Sequence, residues 1–436
     1  MIFNRFLNFT QDKLSCLYEN SVFLQKIDWF ILPFILLTFI TSTFMSSDAI
    51  GFFALIVMFL TFIKLLSKPS EKLSFKSFEI WLIAYFMIVV ISLAGSTLFS
   101  LSLKGFFKTF VYLGFYFSVA QYLKAHKNHT LWLLVVIGVC TSAEVVAGFL
   151  QTFVHPEAIS TWQDTSRLNP EDVISRVYGT LQPLNPNLFG GYLIAGFPVI
   201  LGSVFYGAIK KNLCCVITGI VLTVLGVFTI FQTGCRGAYL ALMLSFFCAF
   251  LISAKFFWNT YKKLYISFIS AIIIMMFSAI TFVSALRHRF LSIFAMRNDS
   301  SNSFRFNVYH SAIQMFQDNW LLGIGVGNKN FREIYGLYMR TGFDALSAYN
   351  IYLEIAVESG IFALIAFLGF LFLLVKKAVS YIVNSSNFEV VLFISVSLVS
   401  ILAICFHGFV DTIFFRPQLQ FVFWTFAAVI SANIEK

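Results

Sequence analysis

Residues 346–375, LSAYNIYLEIAVESGIFALIAFLGFLFLLV, decide the fold class. The apolar run that begins at Ile351 is long enough to cross a bilayer, because a spanning helix needs about 20 largely apolar residues. Two glutamates, Glu354 and Glu358, nevertheless lie in its first turns. Charge inside a membrane segment is costly and usually marks function. The stretch therefore predicts a membrane helix whose beginning belongs to a functional site.

The composition extends this prediction to the whole chain. Of the 436 residues, 59% are hydrophobic and 11% are charged, whereas a soluble domain has about 25% charged residues. Apolar windows of about 20 residues recur along the chain, so we predict an all-α polytopic membrane protein with about 12 transmembrane helices. These windows are residues 28–45, 49–67, 79–99, 104–123, 130–153, 187–207, 212–231, 237–257, 264–286, 350–375, 387–409 and 416–434.

The regions between the windows divide the chain. Residues 1–27 are predicted to be a cytoplasmic N-terminal segment, and residues 28–434 a single transmembrane domain. Two predicted outer loops are long, residues 154–186 and 287–349. Helical spacing of apolar residues predicts an amphipathic helix over residues 303–320 that lies on the outer surface. Its apolar positions are Phe306, Tyr309, Ile313, Phe316 and Trp320.

Lysine and arginine residues fall on opposite sides of this layout. Every second connection is rich in lysine, which predicts a multi-pass protein of the plasma (inner) membrane with both termini in the cytoplasm. All arginines except Arg5 fall on the predicted outer side. Because guanidinium groups suit bidentate binding of phosphate or carboxylate, they predict an outer anion site; pairing with local acids such as Asp299 and Glu333 is the alternative. These arginines are Arg167, Arg176, Arg236, Arg287, Arg289, Arg297, Arg305, Arg332, Arg340 and Arg416.

Other classes of function find no support in the sequence. The seven cysteines show no metal or disulfide spacing, and there is no nucleotide loop, zinc signature or nucleic-acid motif. We therefore expect no metal, no cofactor and no nucleic-acid partner, and the oligomeric state stays open. The formal net charge of +10 follows from the membrane topology.

Two polar clusters lie at the start of predicted membrane helices. In Asn185-Pro186-Asn187, an asparagine cap and a proline near the first turn predict a helix start, and such an N-terminus could also hold an anion. Arg236 lies between two glycines in a short outer turn. Its guanidinium must therefore reach the membrane surface, pair with an acid or bind a ligand.

The large outer loop carries further candidates. Arg305 and His310 lie in the predicted amphipathic helix. Gly323, Gly325 and Gly327 follow in alternation. Because they lack a flanking strand and a Lys-Ser/Thr partner, they predict a tight turn rather than a phosphate loop.

Acidic residues mark the remaining clusters. Asn350 is a predicted helix cap, and Glu354 and Glu358 follow it on one helix face, one turn apart. We expect outer arginines to be the partners of these two glutamates. The other candidates at the outer ends of predicted membrane helices are His407, Asp411, Arg416 and Glu144.

These clusters, in this order, resemble the O-antigen ligase and polymerase superfamily of bacterial membrane proteins. The resemblance covers about residues 130–430. It rests on Asn-Pro-Asn at 185–187, Cys-Arg-Gly at 235–237, Arg305 ahead of NWLLGIGVG, and YNIYLEIAVESG at 349–360. Within the superfamily, the chain looks closest to a cyanobacterial branch associated with inorganic-carbon accumulation and bicarbonate transport.

The resemblance implies a metal-free glycosyl transfer. A glycan would arrive at the outer leaflet on a polyprenyl diphosphate carrier, and Arg236 and Arg305 would hold the diphosphate. The family's base is a histidine, and Tyr349 occupies its position here. A tyrosine, with a pKa near ~10, is a poor base at neutral pH. His310, His407 or Glu354 could replace it.

Two hypotheses remain open. The first is a glycan ligase that uses Tyr349, Glu354 and Glu358 near the reaction and Arg236, Arg305, Asn185, Asn187 and Asn350 for binding. The second is accumulation or transport of bicarbonate, a small anion that the same arginines would bind. Transporters often contain inverted repeats, and no such internal symmetry is evident in this sequence, so the first hypothesis is favoured.

Overall fold

The structure is a computed structural model that describes residues 2–69, 73–154, 176–282, 287 and 300–434. All regular secondary structure in these ranges is helical. The prediction of an all-α fold is therefore confirmed for the described part of the chain. The two long predicted loops lie partly outside these ranges, as do Arg167, Arg289 and Arg297.

The helices follow the predicted apolar windows closely. They are α1 (Ile2–Asn20), α2 (Val22–Gln25), α3 (Asp28–Ser42), α4 (Ser47–Ser67), α5 (Glu79–Gly95), α6 (Phe99–Ala125), α7 (Thr130–Val154), α8 (Pro186–Ile209), α9 (Leu213–Gln232), α10 (Arg236–Phe282), α11 (Ser300–Asp318), α12 (Asn328–Tyr335), α13 (Ile351–Asn384), α14 (Phe388–His407) and α15 (Pro417–Asn433). Short 3-10 turns cover Lys127–His129 and Ile413–Phe415.

Seven helical segments among the described residues are long and apolar enough to cross a membrane. They are Ser47–Ser67, Lys127–Val154, Pro186–Ile209, Leu213–Gln232, Arg236–Asn259, Ile351–Asn384 and Phe388–His407. Two further helices, α3 and α5, are apolar but shorter. An integral membrane protein is therefore supported, whereas the number of about twelve spans and the orientation of the termini stay predictions.

The long element α10 is a helical hairpin. Its one non-helical residue is Tyr261, with φ −128° and ψ 33°. Tyr265 donates a hydrogen bond to the carbonyl of Phe250 and stacks on its ring at 5.2 Å. Residues 15 apart in a straight helix would be about 22 Å apart, so the chain turns back at Tyr261. Two windows were predicted here, with their connection at this turn.

The C-terminal helix α15 lies at the centre of the bundle. All of its residues are buried. Phe421 packs edge-on against Phe115 of α6 at 4.9 Å, and Trp424 contacts Phe370 of α13 at 5.7 Å. Pro417 at its first position costs no hydrogen bond, because the first N–H groups of a helix have no partner within it.

The stretch 350–375 is not one continuous helix, contrary to its apolar pattern. Gly360 interrupts α13 with φ 79° and ψ 176°. The freed carbonyls of Val357 and Glu358 accept the N–H groups of Ile324 and Gly325, both over 2.9 Å. The loop 323–327, here called the glycine loop, therefore fills the break. Its three glycines have positive φ, as a tight turn requires.

A helix is present over the predicted amphipathic stretch, as α11. Its predicted apolar positions are not the ones that it buries in the protein, so their contact with the membrane surface stays a prediction. Phe306, Ile313 and Trp320 are 37%, 45% and 52% exposed. The residues that α11 buries are Val308, Ser311, Ala312 and Met315. These small or flexible side chains pack into a cluster that contains the bulky Phe331 and Tyr335. Because Phe331 and Tyr335 fill most of the space between the packed elements, small residues of α11 lie against them.

Candidate functional site

Helices α8, α10 and α14 meet at one end of the bundle, the end predicted to face outward. On α8, Asn187 Nδ2 donates to Oδ2 of Asp411, just beyond α14, over 3.3 Å. Cys235, just before α10, has its Sγ 3.4 Å from Nε2 of His407 in the last turn of α14. The fold thus brings together two pairs of residues that are far apart in sequence. Asn187 and Asp411 are separated by 224 positions, and Cys235 and His407 by 172.

Asn185 has a capping role. Its Oδ1 accepts the backbone N–H groups of Asn187, over 2.8 Å, and Leu188, over 3.2 Å. These donors at the start of α8 are therefore already bonded. Of the Asn-Pro-Asn motif, Asn187 is the residue whose side chain takes part in the polar contacts at this end of the bundle.

Arg176 joins the same group from the preceding loop. Its Nη2 donates to Oδ1 of Asn187 over 2.6 Å, and its Nε donates to the carbonyl of Thr233 over 2.7 Å. Arg176 therefore links the start of α8 to the turn before α10. Because both bonds are charge-assisted, they hold this turn firmly.

Two side chains of α7 position the loop that carries Arg176. Glu144, 2% exposed, accepts the backbone N–H of Thr180 over 3.0 Å and also its hydroxyl. Gln151 accepts the N–H groups of Tyr178 and Gly179, over 3.1 and 3.0 Å. Glu144, a predicted intramembrane acid of interest, thus acts on the site through this loop.

Arg236 is the half-buried first residue of α10. A Cβ on Gly234 would lie 2.9 Å from Nε of Arg176, and a Cβ on Gly237 would lie 3.0 Å from Nε2 of His407. Any side chain at these glycines would therefore press on the neighbouring polar groups. The two glycines allow the backbone that carries Arg236 to lie between Arg176 and His407.

Arg305 on α11 approaches from the other side. Its Nη2 lies 3.9 Å from Oδ2 of Asp411, and its Nη1 donates to Ser301 over a long 3.3 Å. Its Nε is buried and has no hydrogen-bond partner among the described residues. Since buried polar groups are nearly always paired, Arg305 has unused capacity to bind an anion.

Tyr349 lies against Arg305. The guanidinium carbon of Arg305 is 6.0 Å from the centre of the Tyr349 ring, a distance compatible with a cation–π contact. Tyr309 on α11 donates its hydroxyl to the Tyr349 carbonyl over 3.1 Å. Burial raises the pKa of Tyr349 to about 12, assisted by nearby Asp411 and opposed by Arg305. Tyr349 is thus a neutral phenol at physiological pH and cannot act as a base there.

We call this assembly the arginine cluster. It consists of Arg176, Asn187, Arg236, Arg305, His407 and Asp411. In it Arg305 lies beside Asp411, Arg176 contacts Asn187, and the backbone at Arg236 lies between Arg176 and His407. Guanidinium groups at the end of apolar helices suit an anion at a membrane boundary.

The predicted pairing of Glu354 and Glu358 with arginines is wrong. Glu354 Oε2 accepts the N–H of Ala348 over 2.7 Å, and Glu358 Oε1 accepts the N–H of Gly327 over 2.8 Å. Neither carboxylate contacts an arginine in the part of the chain that the structure describes. Each carboxylate instead accepts a backbone N–H of a loop, because that N–H has no carbonyl partner nearby. The sequence pattern does not show which loop N–H groups need such an acceptor.

The remaining candidates lie at the edge of the cluster or outside it. Asn350 caps α13, because its Oδ1 accepts the N–H groups of Tyr352 and Leu353, each over 2.9 Å. His310 and Arg416 are exposed. Neither makes a hydrogen bond through its side chain to the cluster within the described ranges. In those ranges, no group of three His, Cys, Asp or Glu side chains could hold a metal ion.

Two contributors were not singled out as site residues from the sequence: Arg176 and Tyr309. Arg176 was one of the outer arginines, but no helix start or motif marked it. Cys235 entered only as part of the Cys-Arg-Gly motif, without a role of its own. Tyr309 was assigned to an apolar face, although its hydroxyl reaches the carbonyls of Tyr349 and Phe409, over 3.1 and 3.3 Å.

Comparison with known proteins supports a family assignment. Residues 221–368 match the family model described as O-antigen ligase. The matched region contains Arg236, Arg305 and Tyr349, whereas Asn187 and the residues from 407 onward lie outside it. The match confirms the predicted resemblance to the superfamily over residues 221–368, while the cyanobacterial branch stays a prediction. No curated protein matches the chain significantly.

Proposed function

We propose that this chain, which carries an O-antigen ligase domain, transfers a glycan from a polyprenyl diphosphate carrier to an acceptor hydroxyl. The arginine cluster holds the diphosphate. The observation that carries the proposal is the partly paired guanidinium of Arg305, whose buried Nε has no hydrogen-bond partner among the described residues. A diphosphate supplies the acceptor oxygens that this group lacks.

The position of the cluster supports a lipid-linked anion. It lies where apolar helices α8, α10 and α14 begin or end, so a ligand can bind there with its charged part at the membrane boundary and its apolar part in the bilayer. The lipid-linked glycans on which O-antigen ligases act have this amphiphilic form. A freely soluble anion would not require a membrane-level site.

The reaction follows from the charges in the cluster. The acceptor oxygen forms a bond to the anomeric carbon, and the bond from that carbon to the diphosphate oxygen breaks. The electron pair leaves on the diphosphate, whose growing charge the guanidinium groups stabilise. The hydroxyl proton passes to Asp411, the carboxylate that lies beside Arg305.

The test uses Arg305→Ala and the matched control Arg340→Ala. Arg340 lies in the same outer region but is exposed and donates to Asn307 over 2.9 Å. Hydrogen bonds to charged groups are worth about 1.5–3 kcal/mol, so Arg305→Ala should weaken binding of undecaprenyl diphosphate by about 10- to 100-fold. Arg340→Ala should bind like the parent. Equal affinities in all three proteins, measured in detergent by microscale thermophoresis, would refute a role of the cluster.

Asp411→Asn tests the chemical step separately. Asparagine keeps an oxygen for the N–H groups of Thr412 and Ile413, which Asp411 accepts over 2.8 and 3.2 Å. We expect carrier affinity to be retained and the rate of glycan transfer to fall by about 100-fold or more, since general-base contributions are about 10²–10⁴-fold. An unchanged rate would remove Asp411 from the mechanism.

Bicarbonate handling is the alternative, because an arginine cluster would also bind a small anion. Proteoliposomes that contain the purified chain distinguish the two. We expect the flux of labelled bicarbonate to equal that of empty vesicles. A flux above this level that is lost in Arg305→Ala would overturn the ligase proposal in favour of transport.

A further inference from the structure

A second site, here called the second cavity, borders the segment 411–415 near the arginine cluster. It lies between α5, α6, α13, α15 and the glycine loop, is partly open to solvent, and holds about 590 Å³ of space when that opening is counted. Phe414 and Phe415 form part of its wall, while Asp411, three residues earlier, belongs to the arginine cluster. One short segment therefore borders both sites.

Four polar side chains line this cavity without using their full hydrogen-bonding capacity. Glu358, Tyr85, Tyr112 and Gln420 are 5%, 7%, 8% and 4% exposed. Among the described residues, the hydroxyls of Tyr85 and Tyr112 have no hydrogen-bond partner. The same holds for the amide nitrogen of Gln420 and for the second carboxylate oxygen of Glu358. These atoms face the open space of the cavity, so the cavity is suited to a ligand rich in hydrogen-bonding groups.

The rest of the lining is aromatic. Trp424, Phe367, Phe414 and Phe415 contribute ring surfaces, and Lys108 adds one cationic group. Small-molecule sites likewise combine apolar walls with a few placed polar groups. Sugars present hydroxyl groups at their edges and C–H groups on their faces. A pyranose therefore matches both parts of this lining.

We propose that the second cavity, which Glu358 lines, binds a sugar unit of the glycan acceptor. This inference rests on the proposed function, because a transferase must hold donor and acceptor side by side. An acyl chain does not fit this cavity, since it would leave the four polar groups unpaired.

In this arrangement Glu358 binds the acceptor and does not receive the transferred proton. Its Oε1 is already held by the N–H of Gly327, over 2.8 Å, which orients the other oxygen. Tyr85, Tyr112 and Gln420 then contact further hydroxyl groups of the same sugar. The segment 411–415 keeps the bound sugar next to the anomeric carbon at the arginine cluster.

The experiment places the photo-cross-linking residue p-benzoylphenylalanine at Phe415 in the native host. A matched control carries it at Phe372, which lies on α13 and is 66% exposed. After irradiation, the purified protein is digested and adducts are identified by mass spectrometry. We expect hexose-containing adducts at position 415 and only lipid adducts at position 372. Lipid adducts alone at position 415 would overturn the proposal.

Two substitutions test which groups bind the sugar. Glu358→Gln keeps an oxygen for the Gly327 N–H, and Tyr112→Phe keeps the ring that packs on Phe421 at 5.2 Å. We expect the carbohydrate adduct at Phe415 to fall about tenfold in the first and about threefold in the second. Tyr352→Phe, which removes a hydroxyl that bonds Cys405 elsewhere, should leave the adduct unchanged. Equal yields in all variants would refute sugar binding by these groups.

Binding of undecaprenyl diphosphate distinguishes the sugar site in the second cavity from the diphosphate site in the arginine cluster. Glu358→Gln should bind undecaprenyl diphosphate like the parent, because Glu358 lies outside the arginine cluster. Loss of carrier binding in this variant would contradict two separate sites. If Arg305→Ala has no effect on carrier binding while the sugar adduct depends on Glu358, the ligase proposal fails and the sugar site stands.

Discussion

Tyr349 combines three features that set its role. Its backbone has a φ of 51°, a left-handed conformation that is uncommon for a residue with a large side chain. Its ring lies against Arg305, and its carbonyl accepts the hydroxyl of Tyr309. Such strained positions persist only where the surrounding contacts hold them. The ring therefore supports the guanidinium, while the raised pKa rules out proton transfer at neutral pH.

Tyr349→Phe and Tyr349→Ala separate these roles. Because the pKa of Tyr349 is raised to about 12, its phenol stays protonated well below that pH. Tyr349→Phe, which removes the hydroxyl, should therefore change neither the rate of glycan transfer nor its pH profile up to about pH 10. Tyr349→Ala removes the ring and should slow transfer by about fivefold, as expected for loss of a cation–π contact of about 1 kcal/mol. The pH dependence of kcat is the measurement. If the parent enzyme shows a change of kcat at alkaline pH that Tyr349→Phe lacks, the phenol of Tyr349 takes part in proton transfer and this role is refuted.

Among the elements, α13 and the glycine loop depend on each other. The loop supplies N–H groups to the carbonyls that the break at Gly360 frees, and Ser92 of α5 adds a bond of 2.8 Å to the Glu358 carbonyl. Gly360 itself has a φ of 79°. The break places Glu358 beside the loop and the second cavity. A regular helix would have bonded these carbonyls internally and left the loop without partners.

Gly360→Ala should therefore be destabilising. A Cβ there would lie 2.2 Å from the carbonyl oxygen of Leu321, and alanine disfavours positive φ, so we expect a loss of about 2 kcal/mol or more. Gly51→Ala is the control, because a Cβ on Gly51, within α4, meets nothing within 4 Å. Unfolding by SDS in mixed micelles measures both. Equal stabilities would show that the break is not required.

At the scale of the whole molecule, α15 is anchored at the end opposite the arginine cluster. Glu79 of α5, fully buried, accepts the hydroxyls of Tyr116 and Ser431 over 2.8 and 2.6 Å. Lys124 lies 3.3 Å from the same carboxylate. This network ties the last turns of α15 to α5 and α6. The first turns of α15 also line the second cavity. The anchor therefore fixes the positions of Gln420 and Trp424 along the helix axis relative to this cavity.

Glu79→Ala should lower the stability of the whole bundle. It leaves the largely buried Lys124 and two buried hydroxyls without their acceptor, and breaking a buried pair costs about 3–5 kcal/mol. The control is Glu389→Ala, because Glu389 pairs with Lys210 at 2.9 Å through side chains that are 37% and 46% exposed, and such solvent-accessible pairs contribute about 0–1 kcal/mol. Thermal unfolding in detergent compares them. A melting temperature of Glu79→Ala equal to that of Glu389→Ala would contradict the anchoring role.

Several features followed from local sequence. Apolar windows predicted the helices, because about 20 residues must cover the bilayer. Asparagine caps at Asn185 and Asn350 were recognisable, because their bonds reach only two or three residues along the chain. The face of α11 that packs on the protein could not be read from the sequence, since it depends on the shape of the surface that it meets. The partners of Glu354 and Glu358 were missed for the same reason.

By itself, the sequence determined the helical membrane architecture, the helix starts and the candidate arginines. Only the tertiary structure decided that Arg305 lies beside Asp411 while Arg176 and Asp411 both contact Asn187, and that Glu358 lines a separate cavity. The physical reason is the range of the interactions. Hydropathy and capping act within a few turns of one helix, whereas the polar contacts of both sites join groups up to 224 positions apart. Such contacts depend on how the helices pack.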